Sequence, residues 1–290
     1  MSTKRIQLTL LNSMAGKEVE PALDRHLEWG IRHLDLKDAL WGKAIADLNE
    51  DEALRLKGLA DAREMQVDCL SSGIFLAPVE LGESVFRERF EPALDRLLRS
   101  ASILKPRMVR ILASQSDRRD AFLDILPYIQ SDHAWLIPMF REAIDRIAGS
   151  GRKVVIENEI GGCIFSRPEE ILGFFALLDR AGSVELIWDI QNLWQMGTYP
   201  SLQVYDMLKP LIGSVHLKGG QAEVPGGPLV RAAHLEDASW PVLDIVRRVL
   251  ADGVSPVLCL NPSHGERGPQ YQGEYQRDLE FLRTHLENVT

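Results

Sequence analysis

The sequence predicts an α/β protein, a single (β/α)8 TIM barrel over residues 1–290. Eight short apolar runs alternate with about eight segments of helical periodicity. Such alternation calls for parallel strands joined by right-handed crossovers. Eight units over 290 residues suit a closed barrel better than an open sheet. In addition, the four later strands each end on a residue type able to hold an ion or move a proton.

The first strand is Ile6–Leu11, followed by an amphipathic helix over Glu18–Trp29 that Gly30 closes. Ile31–Lys37 alternates as the second strand, Asp51–Met65 is helical, and Val67–Ser72 is the third strand. Phe86, Phe90, Leu94, Leu97 and Leu98 share one stripe of a long helix over Glu83–Leu104. Arg107–Leu112 is the fourth strand. Ser116–Ala148 has a helical pattern with Pro127 and Pro138 inside it, so two helices broken near Gln130–Asp132 are expected.

Val154–Ile156 is a run of β-branched residues, the signature of a strand buried on both faces, and it leads into Glu157, Asn158 and Glu159. Ser166 to Glu169 reads as a capping box for a helix ending at Gly182. Val184–Asp189 is the sixth strand, with a helix around Pro200–Leu208 after it. Gly213–Lys218 is the seventh strand and Gly219–Leu235 a long Gly/Pro loop. Val242, Val246, Val249 and Leu250 mark the next helix. Pro256–Leu260 is the eighth strand, and a polar loop over Pro262–Gln272 precedes a last helix, Glu274–Leu286.

Composition excludes several functions. Hydrophobic residues make up 45% of the chain, enough for a large core. With 42 acidic against 33 basic residues the formal charge is −9, a field that repels phosphate backbones, so nucleic acid and anionic membrane are not expected partners. No run approaches the ~18 apolar residues of a membrane span, and the N-terminal apolar stretch is too short for a signal core. Cys69, Cys163 and Cys259 are too scattered for a disulfide framework, so a reduced, cytoplasmic setting is expected. No glycine-rich phosphate-binding motif and no G-x-S-x-G elbow occurs.

Active sites of barrels lie where the C-terminal strand ends converge. Strands five to eight bring Glu157, Asp189, His216 and Asn261 to that face. Two carboxylates, an imidazole and an amide oxygen suit one divalent ion: Mn, Mg, Co or Zn. Glu159, two residues beyond Glu157, faces the same side of an extended strand and is either a second acid/base or a solvated loop acid. Lys218 also points inward, as a substrate contact or a solvated lysine. Asp35, Lys37 and Arg110 end strands two and four at the same mouth, and His264 and Glu266 lie in the loop beyond Asn261. Trp41, Trp188, Trp194 and Phe165 lie near strand ends as apolar walls or as core, with core the reading for Trp188.

Glu157-Asn158, the run from Trp188 to Asn192 with Gly197, and Val215-His-Leu-Lys218 resemble the strand-five, strand-six and strand-seven motifs of the xylose isomerase-like barrels. That group includes sugar isomerases, ketose 3-epimerases and type IV apurinic endonucleases. The resemblance implies metal ligation by Glu157, Asp189 and His216 and a substrate contact from Asn192, while Asn261 as a further metal ligand and Lys218, Arg110 and His264 as further substrate contacts are expected from their places at the mouth. It also implies a small carbohydrate partner and a homo-oligomer. Position 261 departs from the pattern, because the epimerases carry there a second glutamate that binds metal and moves a proton. The expected function is a metal-dependent isomerase or epimerase of a small sugar or related polyhydroxy carbonyl compound, with Glu157 and Glu159 as catalytic residues and an enediol intermediate. A lyase or hydrolase with a one-base site, or a non-catalytic sugar-binding barrel with a degenerate metal site, are the alternatives. The endonuclease branch is opposed by the acidic charge.

Overall fold

A computed structural model describes residues 7–263, 266–267 and 275–286. Eight parallel strands form the sheet: β1 (Gln7–Leu10), β2 (His33–Leu36), β3 (Gln66–Ser71), β4 (Met108–Leu112), β5 (Lys153–Glu157), β6 (Val184–Asp189), β7 (Ile212–Leu217) and β8 (Val257–Leu260). Neighbours run in sequence order from β2 to β8, and β1 returns to pair with β8. The sheet is thus an almost closed barrel wrapped by helices. A two-residue ribbon, Arg231–Ala232 with Glu266–Arg267, lies outside it.

The last junction is made differently. Between β1 and β2 a single bridge, Leu11 with Asp35, replaces a ladder. Side chains do the rest. Thr9 Oγ1 donates to the His33 carbonyl at 2.6 Å. Asn12 accepts from the Lys37 N–H at 2.8 Å and donates to the Asp38 carbonyl at 2.6 Å. Asn12 is 4% exposed, so these bonds are shielded from water.

Strand alternation separates two cores. Val154, Ile156, Leu186, Trp188, Val215, Leu217, Leu258 and Leu260 face the helices and join the main apolar core. The intervening residues face the lumen, where only Cys69, Met108, Val155 and Ile187 form a separate apolar cluster. Above that plug the lumen is polar and charged.

Several elements differ from expectation. Ser116–Ile125 is not an α-helix; the two helices are Leu126–Asp132 and Leu136–Gly149, divided at 133–135. Pro127 and Pro138 sit in their first turns, where a missing N–H breaks nothing. The helix after β5 runs Pro168–Leu178 and stops on Asp179 in the left-handed region rather than at Gly182. Its expected box is displaced by one residue: Ser166 N and Oγ both bond Glu170 Oε2, at 3.1 and 2.8 Å. Asn49 and Glu52 form the reciprocal capping box that starts Glu50–Asp61. A short helix unforeseen from the sequence, Ile190–Gln195, follows β6 directly with Asp189 as its N-cap.

Candidate active site

Glu157, the last residue of β5, is 1% exposed and has both oxygens engaged. Arg110 Nη1 donates to Oε2, while His216 Nδ1 lies 2.7 Å from Oε1. Arg110, in the middle of β4, anchors its other arm on the carbonyls of Ser71 and Ser72 at 3.1 and 3.2 Å. Asp189 closes β6. Its Oδ1 accepts the Asn192 N–H at 2.9 Å, and Oδ2 lies 2.7 Å from Lys218 Nζ. Lys218 also donates to Asn192 Oδ1 at 2.8 Å. Asn192 donates in turn to Glu159 Oε1 at 3.3 Å, which ties the mouth carboxylate to the same network.

His216 is at the centre. Register pairs it with Asp189 on one side and Cys259 on the other. Its Nδ1 meets Glu157, the Asn261 amide at 2.8 Å and Asp189 Oδ2 at 3.9 Å. One ligand atom from each of Glu157, Asp189 and His216 lies within 4.8 Å of the others.

The electrostatics separate the carboxylates. Burial alone would raise the Glu157 carboxyl, but His216 and Arg110 hold it well below the usual range. Glu159 is raised, first by burial and then by the Glu157 charge. Asp189 and Asp35 are raised by burial against the pull of Lys218 and of His216 respectively. His216, which burial would lower, is raised by Glu157 and the other carboxylates. Burial thus pushes Asp35, Glu159 and Asp189 toward binding a proton, and for Glu159 and Asp189 the Glu157 charge adds to it.

The donor set fits a divalent cation. Four carboxylates, Asp35, Glu157, Glu159 and Asp189, face two fixed cations, Arg110 and Lys218. Two negative charges remain, not counting His216, and hard oxygen donors plus one imidazole nitrogen converge where they concentrate.

Of the residues expected at the site, the structure brings Glu157, Asp189, His216, Asn261, Asn192, Lys218 and Glu159 into one connected network. Arg110 was expected to contact substrate; it is 2% exposed beneath Glu157 and acts on that carboxylate. Phe165, Trp188 and Trp194 belong to the main core rather than to an apolar wall. Trp41 is half-buried with the Arg55 guanidinium 4.5 Å from its ring. His264 lies outside the described residues.

Three contributors were missed. Asn158 exchanges two hydrogen bonds, each 2.9 Å, with the Asp189 backbone and locks the tops of β5 and β6. Gln191 donates to the Gly219 carbonyl and to Ser263 Oγ, both at 2.6 Å, joining the loops after β6, β7 and β8. Ser71 bonds Asp35. The only sequence signal was polarity at a strand end, which solvated residues share.

A (β/α)8 barrel with a charged lumen mouth able to take a divalent ion is the class that fold and site define. No protein-family model matches the sequence, and no curated protein matches it. Solved structures do match over nearly the whole chain, and several of them are xylose isomerase-like or xylose isomerase domain proteins. One is a xylose isomerase-like TIM barrel protein from Mycobacterium smegmatis in complex with magnesium, 17% identical, covering 97% of this chain and 95% of that one at a TM-score of 0.68. A probable 3-DHS dehydratase from Bacillus anthracis is 12% identical with a TM-score of 0.71 and coverage of 96% and 98%. D-psicose 3-epimerase with D-tagatose from Clostridium cellulolyticum H10 is 10% identical, TM-score 0.66, coverage 97% and 91%.

Proposed function

We propose that the protein is a metal-assisted isomerase of a small sugar or related polyhydroxy carbonyl compound, with Glu159 as the proton-transfer group. The carrying observation is the contrast between the two glutamates. Both oxygens of Glu157 are taken by Arg110 and His216, and it is 1% exposed. Glu159 is only partly buried at the mouth, and its closest side-chain partner is Asn192 at 3.3 Å. On this reading Glu157, fixed as an anion, holds the ion and Glu159 is the base.

Glu157, Asp189 and His216 would hold the ion; the Asn261 amide, whose nitrogen faces His216 Nδ1, would have to turn to offer its oxygen as a fourth donor. A bound divalent ion supplies polarisation of the substrate carbonyl and acidifies the neighbouring C–H. Glu159 takes that proton and returns it to the adjacent carbon through an enediol. Lys218, with two of its three donors used by Asp189 and Asn192, has one left for a substrate oxygen. Support for a sugar comes from the similarity to an epimerase solved with D-tagatose.

A lyase is the second reading. An amide at 261 cannot exchange protons near neutral pH, which leaves Glu159 as the mouth carboxylate of this network. One base suffices for elimination, and a dehydratase is among the similar structures.

The test is solvent-deuterium incorporation into free ketoses, D-tagatose first, alongside elemental analysis. Glu159→Gln should lower turnover by about 10²–10⁴-fold while keeping its ion, and Asp189→Ala should lose the ion. Unchanged turnover in Glu159→Gln sinks the assignment of the base. A product lighter by one water replaces isomerase with lyase.

A further inference from the structure

We propose that Asp35 is a positioning residue that holds the distal ring nitrogen of His216, so that Nδ1 is the nitrogen presented to the ion. This rests on the ion-binding reading above and adds a residue to it.

His216 Nδ1 faces the ligand cluster, whereas Nε2 is buried, has no hydrogen-bond partner, and points at Asp35 Oδ2 from 3.8 Å. The carboxylate is itself fixed from both sides. Ser71 Oγ donates to Oδ1, and the Cys259 thiol lies 3.5 Å from Oδ2. Both of these partners are neutral. A carboxylate 1% exposed with only a hydroxyl and a thiol as hydrogen-bond donors is costly. The imidazole edge is the ionisable group that offsets that cost at shortest range.

The backbone is shaped to deliver it. Between β2 and β3 the register jumps at Leu34/Asp35, where Asp35 pairs with Cys69 and Asp68 is passed over. Irregularities of this kind re-aim side chains next to active sites. Asp35 also carries the single bridge to β1, so its backbone is held on both flanks. A histidine that ligates through one nitrogen commonly hands its other N–H to a carboxylate, which fixes the ring plane and raises ligand basicity.

The experiment compares wild type, Asp35→Asn and Asp35→Ala by Zn²⁺ affinity and by the ¹H–¹⁵N resonance of His216 Nε2–H. The resonance is recorded in ion-free and Zn²⁺-loaded protein and assigned by its loss in His216→Gln. Both Asp35 variants should move it upfield and speed its exchange with water. Zn²⁺ affinity should fall by about 10–100-fold, with Asn weakened less than Ala. An unmoved resonance with wild-type affinity in Asp35→Asn overturns the proposal, and that near-isosteric variant keeps the test valid if Asp35→Ala fails to fold. Absence of Zn²⁺ binding in wild type sinks the ion-binding reading alone, because the shift in ion-free protein still decides the role of Asp35.

Discussion

At the residue scale, the two glutamates two positions apart divide the chemistry. Glu157 is locked as an anion by Arg110 and His216, while Glu159 is raised by burial and by its neighbour's charge. The sign of the pH dependence follows. A base must be unprotonated to take a proton, so activity is lost as pH falls through the raised Glu159 value. In ion-free protein the Glu159 carboxyl should therefore titrate above 4.5, the ordinary glutamate value, and a bound divalent ion should draw it down. An NMR titration at or below 4.5 in ion-free protein, or an acid limb of kcat/KM indifferent to Glu159→Gln, would remove Glu159 from the proton-transfer role. The ligand-type residues were legible because four successive apolar runs end on Glu, Asp, His and Asn, whereas any one of them alone would read as a structural strand end. Asp35 was visible only as a polar strand end, since nothing in sequence marks a register jump. Nor does sequence show that Arg110 is consumed by Glu157, because that depends on two strands sitting side by side.

At the element scale, strands were more legible than loops and helix ends. A β-branched run such as Val154–Ile156 has one comfortable conformation, whereas Ser116–Ile125 has helical spacing but is held by Ser116 to Glu80 and Arg119 to Ser166 and keeps only a 3-10 turn at Arg119–Ala121. Side-chain bonds decided helix starts, as Asn49 with Glu52 and Ser166 with Glu170 show. The loop after β7 is built by close backbone approach. A Cβ at Gly219 would lie 2.0 Å from the Ala233 carbonyl oxygen. The Gly219 carbonyl also accepts from Gln191. Gly219→Ala should displace this loop, lower the melting temperature and weaken substrate binding with the ion still bound. Thermal melts and substrate titration check it, with ion titration as the control, and wild-type values in the first two would show that the loop yields freely.

For the whole molecule, the β1–β2 junction is where the barrel depends on side chains instead of a ladder. Asn12→Ala removes two shielded hydrogen bonds and strands the Lys37 N–H and the Asp38 carbonyl. The expected cost is about 1–3 kcal/mol. Amide exchange should accelerate first in β1 and β2 and leave β4 to β6 protected, because that junction then opens without the rest. Uniform acceleration across all strands would mean that the junction is no weaker than the others. Barrel closure was expected from the count of eight units, but not its weakest point, since bonding across it comes from Thr9 and Asn12.

The alternation that splits each strand between helices and lumen gives the molecule two nearly independent ledgers. Residues such as Val154, Ile156 and Trp188 keep it folded, while Glu157, Asp189 and Asn261, one step along the same strands, face the chemistry. Exchange of a lumen residue therefore leaves most of the apolar packing untouched. A barrel arranged in this way can drift from one reaction to another by single substitutions without passing through an unfolded ancestor. The amide at 261, buried beside His216, occupies one such position.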